Sequence, residues 1–255
     1  MIEFENVVPP SPEQWRSIII GTRNAMNSWN KSDSQIMWTE DPSYYDIGRP
    51  DLAMNMIIGP NDHELMMKLC KAGTDHRKFM RMIVVYVDII APLYFWKEAD
   101  TYKVGTVVNS CSTMHKIHEK EFTLEDFSHE QLINITKPTK ELIDNDCVRL
   151  EDIDFRDTLY LSATNILEVV IGALNTYRQR YLETKDKKYW RQIIQLLPSS
   201  YNQRRTVMLN YEVLANIYKS RRNHKLDEWV ELCKWIESLP YSELITAGLK
   251  KEIDI

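Results

Sequence analysis

The chain has 255 residues, 44% of them hydrophobic, and carries a formal net charge of −5 at pH 7. This length is enough for one well-packed domain or at most two small ones. The acidic balance provides no general electrostatic footprint for nucleic acid, so we expect no nucleic-acid partner and only a local site for any polyanion.

We expect a cytoplasmic protein with no membrane partner. The most apolar run, Met82 to Trp96, is interrupted by Asp88 and Pro92 and is too short to span a bilayer. The N-terminus has no basic stretch followed by an apolar one, as a signal peptide would have. The four cysteines are single, without a Cys-x-x-Cys pair, which excludes a zinc ribbon or thioredoxin-like motif and is typical of a reducing compartment.

Two helices are predicted in the N-terminal part of the chain. Ser11 followed by Pro12 is typical of a helix start, with the serine as N-cap and the proline in the first turn. The second helix is predicted over residues 62–72, with Gly73 at its end. Residues 31–60 are rich in prolines and aromatic side chains and predict loops.

A strand and a polar segment follow in the middle of the chain. Residues 80–90 are rich in β-branched and aromatic side chains, which predicts a strand. A helix or turn is predicted over residues 93–98. Residues 100–115 are polar, and Gly105 among them permits an unusual backbone conformation.

Helices dominate the predicted C-terminal half. The preceding segment, 135–157, is acidic and irregular and predicts a surface excursion. Apolar residues then recur at three- and four-residue steps. This period predicts helices over residues 158–182, 190–197, 206–219 and 226–238.

Two asparagines interrupt the helix pattern predicted over residues 206–219. They are Asn210 and Asn216. Asparagine is a poor helix former, because its amide competes for backbone hydrogen bonds. Two of them in one helix suggest that their amides bind something.

Arginine pairs stand on both sides of the same predicted helix. Arg204-Arg205 precedes it and Arg221-Arg222 follows it, with Tyr201, Tyr211 and Tyr218 nearby. An arginine fork suits a phosphate or a pyrimidine carbonyl, and a tyrosine can stack on a ring. A solvated helix end is the alternative, since basic residues are favourable at a helix C-terminus. Composition alone does not separate the two.

Two further groupings are weaker candidates for a site. His115 and His118 would share one face of a helix, and such a pair with a nearby carboxylate can bind zinc or iron. We favour a surface role for them, because no third ligand is obvious. Cys111 could act as a nucleophile with His115 as its base. No phosphate-binding glycine loop, dinucleotide fingerprint or nucleophile elbow is present.

The spacing of several residues is more specific. Leu197-Pro198 is followed twelve residues later by Asn210, and then by Asn216, Arg221 and Trp229. In identity and spacing this series resembles the C-terminal half of the flavin-dependent thymidylate synthases. The resemblance runs from about Met80 to Trp229.

A second stretch resembles the signature of that family, with departures. Asn109 and Ser112 match its Asn-Glu-x-Ser core. The family's opening Arg-His-Arg corresponds to Thr101-Tyr102-Lys103, and the glutamine before it to Glu98. The glutamate after the asparagine and the arginine after the serine are replaced by Ser110 and Met114.

The resemblance implies an α+β fold with a central, mostly antiparallel sheet flanked by helices. A single domain would span residues 1–255, with 1–75 as an N-terminal extension and 80–235 as the family-like core. The implied activity is reductive methylation of dUMP, or a related pyrimidine nucleotide, at C5. FAD would supply the hydride, with methylenetetrahydrofolate and NADPH as co-substrates, in a homotetramer.

The resemblance also implies site residues. The cofactor carries the chemistry, so no side chain is implied as catalytic. Asn210, Asn216, Tyr102 and Lys103 would bind the flavin. The nucleotide would be contacted by Arg221, Ser112, Glu98 and Arg191.

Two alternatives stay open at this point. Because the signature Arg-His-Arg is absent, the chain is alternatively a non-catalytic relative that keeps a nucleotide or flavin pocket. The other alternative is a metal-dependent enzyme that uses His115 and His118.

Overall fold

The computed structural model describes residues 1–39, 53–133 and 163–247. The acidic segment predicted over 135–157 lies outside these residues, as do the first five residues of the helix predicted over 158–182. The chain divides into two compact units. One consists of Met1 with residues 91–96 and 111–203, and the other of residues 2–90, 97–110 and 204–255.

Strands and helices alternate irregularly along the described residues. The strands are β1 (Glu3–Val8), β2 (Gln35–Thr39), β3 (Ala53–Ile57), β4 (Val84–Pro92), β5 (Thr106–Ser110) and β6 (Asn202–Asn210). The helices are α1 (Pro12–Asn24), α2 (Pro60–Lys71), α3 (Leu93–Ala99), α4 (Ala163–Thr184), α5 (Lys187–Leu196), α6 (Tyr211–Arg221), α7 (Asp227–Glu237) and α8 (Glu243–Thr246).

Most of a four-stranded sheet lies in the second unit. Its strand order is β1-β4-β6-β5, and the pairs β1–β4 and β5–β6 are antiparallel. Strands β2 and β3 form a separate antiparallel pair within residues 31–60, so the prediction of a loop-rich stretch is wrong for these two segments. The predicted fold class, α+β with an antiparallel sheet flanked by helices, is confirmed.

Strand β4 confirms the strand predicted over residues 80–90, shifted by a few residues. Val85, Val87 and Ile89 are buried, whereas Tyr86 is half exposed. Side chains of a strand alternate between its two faces, so this pattern gives β4 one buried face. The first predicted residues form a short 3-10 helix, Lys78–Arg81, instead.

The helix predicted over residues 206–219 is wrong in its first part. Residues up to Asn210 belong to β6, where Val207 and Leu209 are buried on one face. The helix α6 begins only at Tyr211. Apolar residues of the strand end happen to continue the spacing of the helix, because no glycine or proline separates the two elements.

Other helices confirm their predictions. Ser11 Oγ accepts from Gln14 N at 3.3 Å, and Gln14 Oε1 accepts from Ser11 N at 2.8 Å, a complete capping box before α1. Gly73 follows α2 with a φ of 100°. Helices α4, α5 and α7 match the other three predicted helices to within a few residues.

The first unit is built around the helical pair α4 and α5. Its core cluster contains Ile117, Phe122, Phe127, Leu167, Leu174 and Ile193. The Asn175 side chain on α4 accepts from Phe122 N at 2.9 Å and donates to Phe122 O at 2.8 Å. This double contact fixes the preceding loop on the helix.

The second unit surrounds the buried face of α6. Tyr211, Leu214 and Ile217 are almost fully buried, and α6 packs against α7 and α8. Within the described part of the chain, no helix is both long enough and apolar enough to cross a lipid bilayer.

Candidate functional site

Arg221, near the C-terminal end of α6, is held by three side chains. Its Nη1 lies 2.6 Å from Glu98 Oε1, and its Nε donates to Tyr102 Oη at 2.9 Å. The guanidinium carbon lies 4.8 Å from the centre of the Trp229 ring, a cation–π distance. Three predicted site residues therefore meet here, although Arg221 is more than a hundred positions from Glu98 and Tyr102. We call Glu98, Tyr102, Arg221 and Trp229 the arginine cluster.

Short-range structure positions each member of the arginine cluster. Glu98 lies in the last turn of α3, and Thr101 N donates to its carbonyl oxygen at 3.0 Å. The chain turns there, so that Tyr102 follows within reach of the same arginine. Trp229 is fully buried in the first turn of α7. It provides a fixed apolar wall for the guanidinium.

His224 borders the cluster and was not among the predicted site residues. Its Nδ1 accepts from Leu226 N at 3.2 Å, so the neutral ring carries its proton on Nε2. Nε2 lies 4.0 Å from Glu98 Oε2. The Glu98 carboxylate thus lies between a guanidinium and an imidazole.

The arginine cluster presents a donor beside an acceptor. Arginine only donates hydrogen bonds, and an ionised carboxylate only accepts them. The Glu98 side chain keeps 37% of its surface exposed and that of Arg221 keeps 18%. Such a pair is complementary to a group that carries a carbonyl next to an N–H, as a pyrimidine edge does.

Asn210 is the N-cap of α6 and does not lie inside the helix. Its Oδ1 accepts from Val213 N at 2.9 Å, and the residue is only 8% exposed. Its backbone N donates to Gly105 O at 3.2 Å. One amide group expected to bind a ligand therefore serves the fold directly, because an N-cap satisfies a helix donor that has no partner within the helix.

Asn216 lies on the exposed side of α6. Its Oδ1 accepts from Arg77 Nη2 at 3.3 Å. The same nitrogen donates to Glu212 Oε1 at 3.0 Å. No local pattern in the sequence indicates Arg77, although Glu212 and Asn216 are four residues apart and so share a helix face.

Lys103 lies in the segment between α3 and β5, and Thr106 is the first residue of β5. Lys103 is exposed and follows Tyr102 directly. Thr106 has a buried Oγ1 for which the described residues offer no hydrogen-bond partner. A buried hydroxyl of this kind marks a place where a ligand or water can bind.

Ser112 and Arg191 belong to the first unit. The hydroxyl of Ser112 accepts from the backbone N–H groups of Met114 at 3.4 Å, His115 at 2.9 Å and Lys116 at 3.4 Å. Its own proton stays available to a ligand. Arg191 is exposed on α5.

Arg204 and Arg205 were predicted to lie directly before a helix, but they lie in β6. Arg204 Nη2 lies 2.7 Å from Glu5 Oε2 and 2.8 Å from Asp88 Oδ2. Arg205 Nη1 lies 2.7 Å from Asp100 Oδ1. Hydrogen bonds from Arg204, Thr206 and Asn6 hold the pKa of the Asp88 carboxyl well below its usual range. Both arginines thus have their charge compensated within the chain.

No protein-family model matches the chain, and no curated protein sequence matches it. Solved structures match its fold. A crystal structure of thymidylate synthase X from Helicobacter pylori with FAD and dUMP gives a TM-score of 0.56 at 16% identity, covering 96% of each chain. A second structure, of the flavin-dependent thymidylate synthase from Helicobacter pylori with FAD and dUMP, gives 0.54 at 17% identity, covering 96% of this chain and 97% of that one.

The chain has the fold of the flavin-dependent thymidylate synthases. A UMP/dUMP methylase from Streptomyces cacaoi, bound with 5-bromo-dUMP, is also similar. Its TM-score is 0.51 at 14% identity, covering 98% of this chain and 95% of that one. The structural likeness therefore extends well beyond the stretch from Met80 to Trp229 on which the sequence resemblance rests.

His115 and His118 were predicted to share one face of a helix, but in this flavin-dependent thymidylate synthase fold they lie in a turn-rich loop. The His118 ring packs edge-on against Tyr181, with 4.7 Å between ring centres. Among the residues that the structure describes, no three His, Cys, Asp or Glu side chains are grouped so that they could hold a metal ion.

The described cysteines are free thiols in different surroundings. Cys70 and Cys233 are buried, and Cys111 is exposed. Burial raises the pKa of the Cys70 thiol to about 12 and that of Cys233 to about 11. Both buried cysteines therefore stay protonated, and neither is an activated nucleophile.

Proposed function

We propose that the chain is an enzyme of the flavin-dependent thymidylate synthase type, which methylates dUMP or a related pyrimidine nucleotide at C5. The observation that carries the proposal is the arginine cluster. The resemblance assigned Glu98 and Arg221 to the nucleotide and Tyr102 to the flavin. Glu98 and Tyr102 each lie within hydrogen-bond distance of Arg221, although more than a hundred positions separate them from it. The shared fold supports the same conclusion.

The arginine cluster is proposed to bind the pyrimidine ring. Arg221 would donate to a ring carbonyl, and Glu98 would accept from the neighbouring N–H. Tyr102 and Trp229 hold the guanidinium, so the donors are oriented before the ligand arrives. Ser112 and Arg191, in the first unit, each keep a donor exposed and stay predictions for nucleotide binding.

The residues proposed for the flavin fit its acceptor-rich ring and its phosphates. Asn216 has an exposed amide, and the Thr106 hydroxyl is buried without a partner among the described residues. Lys103 supplies a positive charge near the phosphates, but as a point charge and not as a bidentate fork. FAD in its reduced form, when bound, supplies the hydride for the methyl group, with NADPH as reductant and methylenetetrahydrofolate as carbon donor.

We propose a homotetramer in the cytoplasm. Val107 and Val108 point to opposite faces of the edge strand β5, and 61% and 38% of their surfaces are exposed. An uncovered apolar edge strand is a template for pairing with another chain. The free thiols in the described residues are compatible with a reducing compartment. Light scattering of the purified protein gives the number of subunits.

The first experiment is an absorbance titration of the purified chain with FAD. We expect a bound-flavin spectrum and a rise in melting temperature when dUMP is added. Lys103→Met should weaken FAD binding, whereas Lys71→Met, which changes an exposed lysine at the end of α2, should not. A colourless protein that takes up no FAD and does not respond to dUMP would contradict the proposal.

A non-catalytic binding protein is the second candidate, favoured by one observation. Where the family signature has Arg-His-Arg, this chain has Thr101, Tyr102 and Lys103, and the Tyr102 hydroxyl contacts Arg221. Turnover separates the two candidates. Formation of dTMP from dUMP, methylenetetrahydrofolate and NADPH supports the enzyme, whereas binding of FAD and dUMP without product supports the second candidate.

A further inference from the structure

Arg77 links two residues of α6 through one guanidinium group. It lies just before the short 3-10 helix Lys78–Arg81. Its Nε lies 2.9 Å from Glu212 Oε2, and its Nη2 lies 3.0 Å from Glu212 Oε1. Nη2 also donates to Asn216 Oδ1 at 3.3 Å. A residue outside the stretch of sequence resemblance thus reaches a predicted flavin contact.

The ion pair with Glu212 fixes the plane of the guanidinium. The side chains of Arg77 and Glu212 are only 14% and 11% exposed. Nη2 makes a hydrogen bond to Glu212, whereas Nε lies at ion-pair distance from the other carboxylate oxygen without hydrogen-bond geometry, so two nitrogens of the guanidinium face the carboxylate. Glu212, one turn before Asn216 on α6, therefore holds in place the Arg77 Nη2 atom that faces Asn216.

Arg77 thereby determines which way the Asn216 amide faces. An asparagine amide can present its oxygen or its nitrogen, and neighbouring groups decide which. Arginine has donors and no acceptor, so the amide oxygen must face Arg77. The amide nitrogen of the exposed Asn216 then points away from Arg77, with two N–H groups to donate.

We propose that Arg77 is a positioning residue that makes Asn216 a hydrogen-bond donor toward the ligand. The group that Asn216 meets is then an acceptor, a carbonyl oxygen or an unprotonated ring nitrogen, and not an N–H. The identity of that ligand as a flavin rests on the proposed function, whereas the orientation of the amide does not.

Three substitutions test this orientation. Asn216→Asp keeps the shape and the contact with Arg77 but removes the donor, and should weaken FAD binding about 10- to 100-fold. Arg77→Lys keeps the charge opposite Glu212 but lacks the fork that also reaches Asn216, and should weaken FAD binding about 3- to 10-fold. Glu212→Gln leaves Arg77 with one acceptor oxygen instead of two, so it should lower the melting temperature and weaken FAD binding about 3- to 10-fold.

A ligand-free measurement completes the test. Nitrogen-15 relaxation of the Asn216 side-chain amide should show a rigid group in the wild type and a mobile one in Arg77→Lys. Equal mobility in the two proteins would overturn the proposal whether or not FAD binds. If FAD binds, but Asn216→Asp and Arg77→Lys bind it as tightly as the wild type, the proposal fails while the proposed function stands. If no FAD binds, the proposed function fails and the relaxation data still decide the orientation.

Discussion

The Asn210 side chain lies so close to Gly105 that there is no room for a side chain at position 105. Gly105 has a φ of +83°, and a Cβ atom placed there would lie 2.3 Å from Asn210 Nδ2. The Asn210 backbone N–H donates to the Gly105 carbonyl at 3.2 Å. This contact joins the start of β5 to the junction between β6 and α6. The segment that carries the departures from the family signature is therefore anchored to the helix that carries Arg221.

Gly105→Ala should destabilise the protein by about 1–3 kcal/mol, because a left-handed backbone conformation is strained for alanine. The contact with Asn210 adds to this cost, since the asparagine amide is held by its capping hydrogen bond. Urea denaturation of the wild type and the variant measures the difference.

Gly172→Ala is the matched control. Gly172 lies inside α4, and a Cβ atom there would meet nothing within 4 Å. Alanine in a helix interior is more favourable than glycine by about 0.5–1 kcal/mol, so this variant should be more stable than the wild type. Equal stability of Gly105→Ala and the wild type would contradict the account of the Gly105–Asn210 contact.

Replacing Asn210 separates its capping role from its predicted flavin contact. Asn210→Ala should cost about 0.5–2 kcal/mol of stability, since the acceptor for Val213 N is lost. Asn210→Asp keeps that acceptor at a helix N-terminus, where a negative charge is favourable, and should stay folded. An FAD titration of Asn210→Asp then reports on ligand binding alone. Unchanged FAD affinity in this variant would leave Asn210 with a structural role only.

Local signals in the sequence predict much of the helical structure. The Ser11–Pro12 start and the glycine after α2 are short-range devices that act within one turn, and both are present in the structure. The alternation of buried residues in β4 is likewise readable, because β-branched side chains are concentrated there. These elements are determined by neighbours in sequence.

The junction at Asn210 shows where such signals fail. Leu209 is the last buried apolar residue of β6, and Val213 belongs to the first turn of α6. Their spacing of four is that of a helix, although a boundary lies between them. Asn210 interrupts the apolar spacing of the predicted helix because it is the N-cap of α6. In the sequence alone, an N-cap asparagine cannot be told from an asparagine inside a helix unless the preceding strand is recognised. Strand β5 is also hard to predict, since four of its five residues are exposed and buried alternation is absent.

The candidate site is only partly predictable for a related reason. Spacing relative to a known family identified Glu98, Tyr102 and Arg221. Arg77 and Glu212 are 135 positions apart, so their pairing depends on the tertiary fold and leaves no local pattern. The same holds for the buried pair of Arg23 and Asp62, which no sequence signal indicates.

Asp62→Asn should destabilise the protein severely. Asp62 Oδ1 accepts from Arg23 Nε at 2.6 Å, and its Oδ2 accepts from Ser32 Oγ at 2.8 Å and Ser34 Oγ at 2.6 Å. The Arg23 and Asp62 side chains are 6% and 2% exposed. Removing one partner of a buried pair leaves the other charge uncompensated, at a cost of about 3–5 kcal/mol. Glu243→Gln, which removes an exposed partner of His63, is the control and should have little effect.

The Asp62 contribution should also depend on pH. Desolvation raises the pKa of Asp62, but hydrogen bonds from Ser34, Ser32 and Arg23 outweigh it and hold the pKa below its ordinary value of 3.8. The stabilisation is therefore fully present above 3.8 and is lost as the pH falls through the lower value of the folded state. Denaturation at a series of acidic pH values should show the gap between the wild type and Asp62→Asn narrowing toward low pH. A gap of constant size would contradict this assignment.

Arg221→Lys should weaken dUMP binding about 10- to 100-fold, because lysine keeps the charge but loses the planar fork and the stacking on Trp229.

Glu98→Gln makes the complementary change. The glutamine no longer compensates the Arg221 charge, so inorganic phosphate should bind the variant more tightly than the wild type, whereas deoxyuridine should bind it less tightly. Calorimetric titrations of both variants with dUMP, deoxyuridine and phosphate test the two expectations together. If deoxyuridine binds Glu98→Gln as tightly as it binds the wild type, the Glu98 carboxylate is not the acceptor for the ring N–H, and the proposed binding of the pyrimidine ring by the arginine cluster is wrong.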